Sequence, residues 1–135
     1  MKAIQDLRVG DQVGELELPP ISRLTLALYC GASNDHMPDH VDIDVARAHG
    51  FDDVFAHGML SMAYLGRLLV KHFPQERLRS FKCQFLRIVY VGDVLTCTGT
   101  VAELFEQDGE PCARINLIAT DQKGEKKVSG EAVVS

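Results

Sequence analysis

The stretch Gly58-Met-Leu-Ser-Met-Ala-Tyr-Leu-Gly-Arg-Leu-Leu-Val-Lys-His72 decides how the rest of the chain is read. Met59, Leu60, Met62, Ala63, Tyr64, Leu65, Leu68, Leu69 and Val70 fall on almost every side of a helical wheel, and a helix apolar all round belongs inside a protein. Lys71 and His72 put cationic groups in its last turn, where the helix dipole favours them, and Pro74 stops it.

Downstream the apolar period falls to two. Phe81, Cys83 and Phe85 alternate with Lys82 and Gln84, and Ile115, Leu117 and Ala119 alternate with Arg114 and Asn116, as half-buried strands require. Gly92-Asp93, Asp108-Gly109 and Lys123-Gly124 mark turns between four long strands. One apolar helix ahead of four strands has an economical solution. An antiparallel sheet curls round the helix and buries it, with smaller helices outside, an α+β arrangement.

Upstream, Pro19-Pro20 closes a short extended start. Ser22 is placed to cap a helix with Leu24, Ala27 and Leu28 on one face, which should stop near Gly31. Asp44 to His49 reads as a short helix capped by Asp44 and ended by Gly50.

The chain of 135 residues suits one domain spanning residues 1–135. A net charge of −5 with scattered basic residues argues against nucleic acid as a partner. Cys30, Cys83, Cys97 and Cys112 form no Cys-x-x-Cys pair, which reads as buried thiols in a reducing cytoplasm. Met1 to Gly10 lacks the apolar run of a signal peptide, and no segment reaches membrane-spanning length. The expectation is a soluble cytoplasmic protein without membrane contact.

Ser33-Asn-Asp-His-Met-Pro-Asp-His-Val-Asp42 packs ionisable side chains around one proline. Pro38 lacks an N–H and pushes Met37 towards extended geometry, so these groups sit on a bent loop. Asp35 and His40 are the candidate acid–base pair. Five extended residues span about 17 Å, so the two meet only if the chain turns at Pro38. An imidazole beside a carboxylate can then serve as a general base. A metal is the rival, with His36 and His40 amid Asp35, Asp39, Asp42 and Asp44, but Pro38 breaks the helical face that His-x-x-x-His ligation uses, and the expectation is no metal. Gly58 opens the apolar helix, where unpartnered N–H groups could hold a carbonyl oxygen or oxyanion. Ser61 could donate to the same oxygen. His57 reads more readily as a capping or packing residue, although it could touch substrate. Met59, Met62 and Tyr64 are candidates for an apolar lining or for the core.

Tyr29-Cys-Gly-Ala-Ser-Asn-Asp-His-Met-Pro-Asp-His-Val-Asp, Ala56-His-Gly-Met-Leu-Ser-Met and Val91-Gly-Asp together resemble the MaoC-like, (R)-specific enoyl-thioester hydratases of the hotdog fold. The likeness covers nearly the whole chain. It implies that Asp35 and His40 are catalytic, that the Gly58 N–H polarises a thioester carbonyl, and that trans-2-enoyl thioesters are reversibly hydrated to (R)-3-hydroxyacyl thioesters. Asn34 stands where the family usually has Gly. Met37 stands where it has an Asn whose amide helps hold the catalytic groups or water, which makes Met37 a candidate substrate contact. No metal or redox cofactor is implied; CoA or acyl carrier protein arrives with the substrate. A homodimer, or a heterodimer with a second hotdog chain, is expected. The alternatives are a hotdog acyl-CoA thioesterase and a non-catalytic acyl-thioester-binding subunit.

Overall fold

A computed structural model describes residues 2–135. The chain runs β1 (Gln12–Glu17), α1 (Arg23–Ser33), α2 (Ile43–Ala48), α3 (Gly58–His72), β2 (Leu78–Phe85), β3 (Thr96–Gln107), β4 (Glu110–Thr120) and β5 (Lys126–Val134). The strands form one antiparallel sheet in the order β1-β3-β4-β5-β2. The short extended start before Pro19-Pro20 is thus an edge strand.

Hairpin chemistry sets the register of the long strands. Asp108 and Gly109 both take positive φ, 54° and 80°, as a tight two-residue turn between right-twisted strands demands. Irregularities at Gln12/Gly14, Leu78/Ser80, Val101/Glu103 and Ala119/Thr120 bend the strands and curl the sheet. Its concave face receives Leu65, Leu68 and Leu69 of α3, which pack with Val101, Ile115, Leu117, Val128 and Ala132. Its outer face is polar: Lys82–Glu131 (3.1 Å), Arg114–Glu131 (2.9 Å) and Arg114–Glu103 (2.9 Å) tie four strands together. A curled antiparallel sheet round a central helix is the hotdog fold.

The helix is buried on one side only. Leu60, Ser61, Leu65, Leu68 and Leu69 are enclosed, whereas Ala63 and Arg67 face out and Met59 and Val70 keep 50% and 42% of their surfaces exposed. A sheet curled against one side of a helix cannot cover the other.

Three local expectations need correction. Ser22 does cap α1, accepting from the Thr25 N–H, but the Leu24–Ala27–Leu28 face points outward, with Leu24 and Leu28 68% and 67% exposed. The helix docks instead through Leu26 and Cys30, because it lies against a second core cluster of Ile21, Val54, Leu60 and Leu95 rather than on the sheet. It continues past Gly31 to Ser33 and ends at Asn34 in the left-handed conformation. The cap of α2 is Asp42, whose carboxylate accepts from Asp44 and Val45 N–H; Asp44 already lies in the first turn. Among the described residues, no helix is long and apolar enough to cross a membrane.

Candidate functional site

Asn34 (φ 57°) turns the chain out of α1, and the Asp35 carboxylate then accepts the Met37 N–H at 3.2 Å. This side-chain turn leads into Pro38. Proline's fixed φ suits the first position of a helical turn, and Pro38–His40 forms one, closed by Asp42 N–H donating to Pro38 O at 2.7 Å. The chain reverses, and the donor atoms of Asp35, His40 and His57 come within 4.8 Å of one another. The predicted meeting of Asp35 and His40 therefore occurs, with His57 as a third member.

Two carbonyls define the imidazole tautomers. Phe55 O lies 2.7 Å from His40 Nδ1, and a carbonyl only accepts, so Nδ1 carries the proton and Nε2 keeps a free lone pair. His57 Nε2 lies 3.2 Å from Asp35 O and by the same logic donates. The two rings stack at 3.8 Å between centroids, with planes 27° apart. Both are buried, at 6% and 1% exposure. Burial pushes the His57 pKa down, the hydrogen bond to Asp35 O partly opposes this, and nearby His40 lowers it further. His57 is thereby held neutral. Asp35 and burial together raise the Tyr29 pKa, with burial the larger cause, so its phenol stays protonated.

Neighbouring groups hold the turn in place. The buried Asp39 carboxylate accepts from His49 Nδ1 at 2.6 Å, and Asp39 O receives the Phe55 N–H at 3.4 Å. The hydrogen bond from His49 draws the Asp39 pKa below the usual carboxylate range. His36 is exposed and outside the cluster. One nitrogen of each stacked ring is committed to a carbonyl.

Helix α3 begins at Gly58, and its N-cap residue, His57, provides no side-chain cap. The first-turn N–H groups therefore depend on other acceptors. Gly58 lines a cavity of about 360 Å³ together with His40 and Ser61, a volume suited to a small-molecule site. A side chain at Gly58 would crowd the Phe85 ring, since a Cβ would stand 3.2 Å from it and the ring would have to shift by a few tenths of an ångström. The Ser61 hydroxyl is buried without a partner. The polar end of the cavity is thus lined by the first residue of α3, by Ser61 with its unpartnered hydroxyl and by His40.

The apolar end is built from Phe55, Phe85, Leu86, Ile88, Val89 and Val128. Met59 and Met62 do not line it: Met59 lies on the open face of α3, Met62 is half-buried, and Tyr64 joins the two core clusters. Met37 is likewise off the wall and 50% exposed. The cavity is walled instead by the connection after β2. Its trace in the sequence is Phe85-Leu86-Arg87-Ile88-Val89, an apolar run that breaks the alternation of the preceding strand.

Fold and site together define a hotdog protein with an Asp/His pair on a loop over the N-terminus of its central helix. The chain belongs to the MaoC-like domain family, whose pattern it matches over residues 8–123. It is 34% identical over 87 residues to a mitochondrial 3-hydroxyacyl-[acyl-carrier-protein] dehydratase of Arabidopsis thaliana, covering 64% of this chain. The chain spans about half of that relative, 51% of its length. An (R)-specific enoyl-CoA hydratase of Rhodospirillum rubrum is 31% identical over 118 residues, 84% of this chain and 78% of the relative. The solved (R)-hydratase from Aeromonas caviae superposes with a TM-score of 0.85 at 28% identity, covering 97% of this chain and 98% of that one.

Proposed function

We propose that the protein is a hydro-lyase that reversibly adds water to trans-2-enoyl thioesters of CoA or acyl carrier protein, giving (R)-3-hydroxyacyl thioesters. The observation that carries this reading is the state of His40: its Nδ1–H is committed to Phe55 O, which leaves Nε2 with a free lone pair, and the residue lines the cavity while lying beside Asp35, which stands just outside that lining. A water bridging the two groups is positioned to attack C3. His40 Nε2 takes its proton, the electron pair of the C2–C3 double bond moves towards the thioester carbonyl, and a proton returned to C2 completes the addition. The α3 N-terminus at Gly58, assisted by Ser61, stabilises the enolate oxygen. The (R) outcome is taken from the family relatives. This chemistry needs no metal or redox cofactor, and the four free thiols support a cytoplasmic, reducing setting.

The partner in this reading is a second hotdog chain, identical or different. Strands β1 and β2 are the sheet's open edges, and the uncovered α3 face with Met59 and Val70 adds apolar surface beside them. The comparison most relevant to a mixed pair is the ChsH1–ChsH2 complex of Mycobacterium tuberculosis, which shares the fold at 21% identity.

Incubation with a trans-2-enoyl-CoA should bleach the conjugated-thioester absorbance, release no free thiol and give the (R)-3-hydroxy product on chiral analysis. Thiol release would identify a thioesterase instead. Substrate binding without either change, for the chain alone and with its partner, would identify a carrier subunit.

A further inference from the structure

His57 is used by no step of the proposed hydration, yet it touches both groups that are. It is the residue immediately before α3, whose buried face packs in the core, whereas Asp35 and His40 lie on the loop and short turn between α1 and α2. Its ring lies 3.8 Å from that of His40 and near-parallel to it, and its Nε2–H reaches the main-chain oxygen of Asp35 at 3.2 Å. Tyr29 closes the edge at 4.9 Å, and Cys30 Sγ stands 3.5 Å from the same nitrogen.

We propose, resting on the hydratase reading, that His57 is the positioning residue that joins the two halves of the acid–base pair, setting the plane of His40 by stacking and the path of the Asp35 backbone by hydrogen bond.

The other ring nitrogen argues that packing is not its purpose. Nδ1 is buried without a partner, and an unsatisfied buried polar atom is unfavourable. A phenylalanine would fill the space and leave no orphan. A histidine gains over it only the Nε2–H. The ring must also stay neutral, because an imidazolium here would face His40, the group that has to accept a proton; burial among Tyr29, Cys30, Asp35 and His40 keeps it so.

Two variants separate the contributions. His57→Phe keeps a flat ring and loses the donor; His57→Gln keeps a donor near the Nε2 position and loses the stack. For His57→Phe we expect an unchanged melting temperature or a higher one, an unchanged KM for a trans-2-enoyl-CoA, and kcat lower by about 10²-fold, the scale of a small misplacement of reacting groups. His57→Gln should recover part of that loss. Long-range proton–nitrogen NMR on the wild-type protein should show His57 neutral with its proton on Nε2 and His40 with its proton on Nδ1. In His57→Phe the backbone signals of Asp35 and His40 should shift or broaden while those of the sheet do not.

Wild-type kcat and KM in His57→Phe would overturn the proposal, as would a Gln variant no better than Phe, or an Nδ1–H or protonated His57 at neutral pH. Should His57→Phe not fold, the Gln variant and the wild-type tautomers decide. If the wild-type protein hydrates no enoyl thioester, the functional reading fails, while the tautomers and the loop signals still test the positioning role.

Discussion

At the scale of residues, Asp35 and His40 are ordinary surface-loop types made unusual by what their neighbours donate and accept. The Met37 amide engages the Asp35 carboxylate, and the Phe55 carbonyl engages one nitrogen of His40. Replacing either side chain should therefore lower turnover by about 10²- to 10⁴-fold, the usual contribution of a positioned acid or base. Near-normal turnover of folded Asp35→Asn or His40→Ala would refute the assignment. Met37 offers a finer test. Its side chain is half in solvent, where the family's Asn would present an amide. Met37→Asn should raise kcat/KM on short linear enoyl-CoA substrates by about 10- to 100-fold, the range of orienting hydrogen bonds. No gain on any substrate would show that the missing amide is not limiting.

At the scale of elements, the cavity wall depends on a charged anchor. Lys127, 3% exposed, meets Asp121 at 3.3 Å, Asp93 at 3.8 Å and the Glu125 carboxylate at 2.5 Å, and its own main-chain oxygen receives the N–H groups of Leu86 and Arg87. Lys127 thus links the β4–β5 turn and the Val91-Gly-Asp turn through its ammonium, and the wall-forming segment after β2 through its main-chain oxygen. Lys127→Met leaves the carboxylates facing one another, and should cost about 3–5 kcal/mol in denaturant unfolding, as breaking a buried ion network does. A stability within error of wild type would show the network to be dispensable.

The packing of α3 on β1 supplies a pH dependence. Gly14 leaves the space in which His72 Nε2 lies, 2.0 Å from where a Cβ would be, and burial, then Lys2 and Lys71, push the His72 pKa down. The folded state thus binds the proton less well than the unfolded chain. This contribution is complete above the ordinary histidine range, near pH 6.5, and is lost as pH falls below it. His72→Leu should flatten the fall in melting temperature between about pH 7 and 5; an unchanged slope would locate the acid sensitivity elsewhere.

For the whole molecule, the open edges and half-covered helix belong together. A hotdog chain that buries only one side of its central helix should not remain alone at working concentrations. Sedimentation equilibrium should give about twice the 14.9 kDa chain mass, or a 1:1 complex on co-expression with a second hotdog chain. A strictly monomeric protein with full activity would contradict this.

The sequence by itself determined what depends on local period and local stereochemistry. The apolar run from Gly58 to His72 marked a central helix ended by Pro74, two-residue alternation marked the strands, and Asp108-Gly109 and Lys123-Gly124 marked the hairpins because few residues accept positive φ. It also singled out Asp35, His40 and Gly58, since a proline-bent polar loop and a glycine at a helix start are unusual in themselves. Which faces end up buried was decided only by tertiary structure. Leu24, Ala27 and Leu28 form a better apolar stripe than Leu26 and Cys30, yet the latter are enclosed, because α1 docks where Ile21, Val54 and Leu95 are waiting rather than where its own pattern points. The same holds for the site. The stack of His57 on His40, the tautomers imposed by Phe55 O and Asp35 O, and the cavity wall from Phe85 to Val89 join residues distant along the chain. No periodicity encodes such contacts; they exist only once the sheet has curled round the helix and brought the loop to its N-terminus.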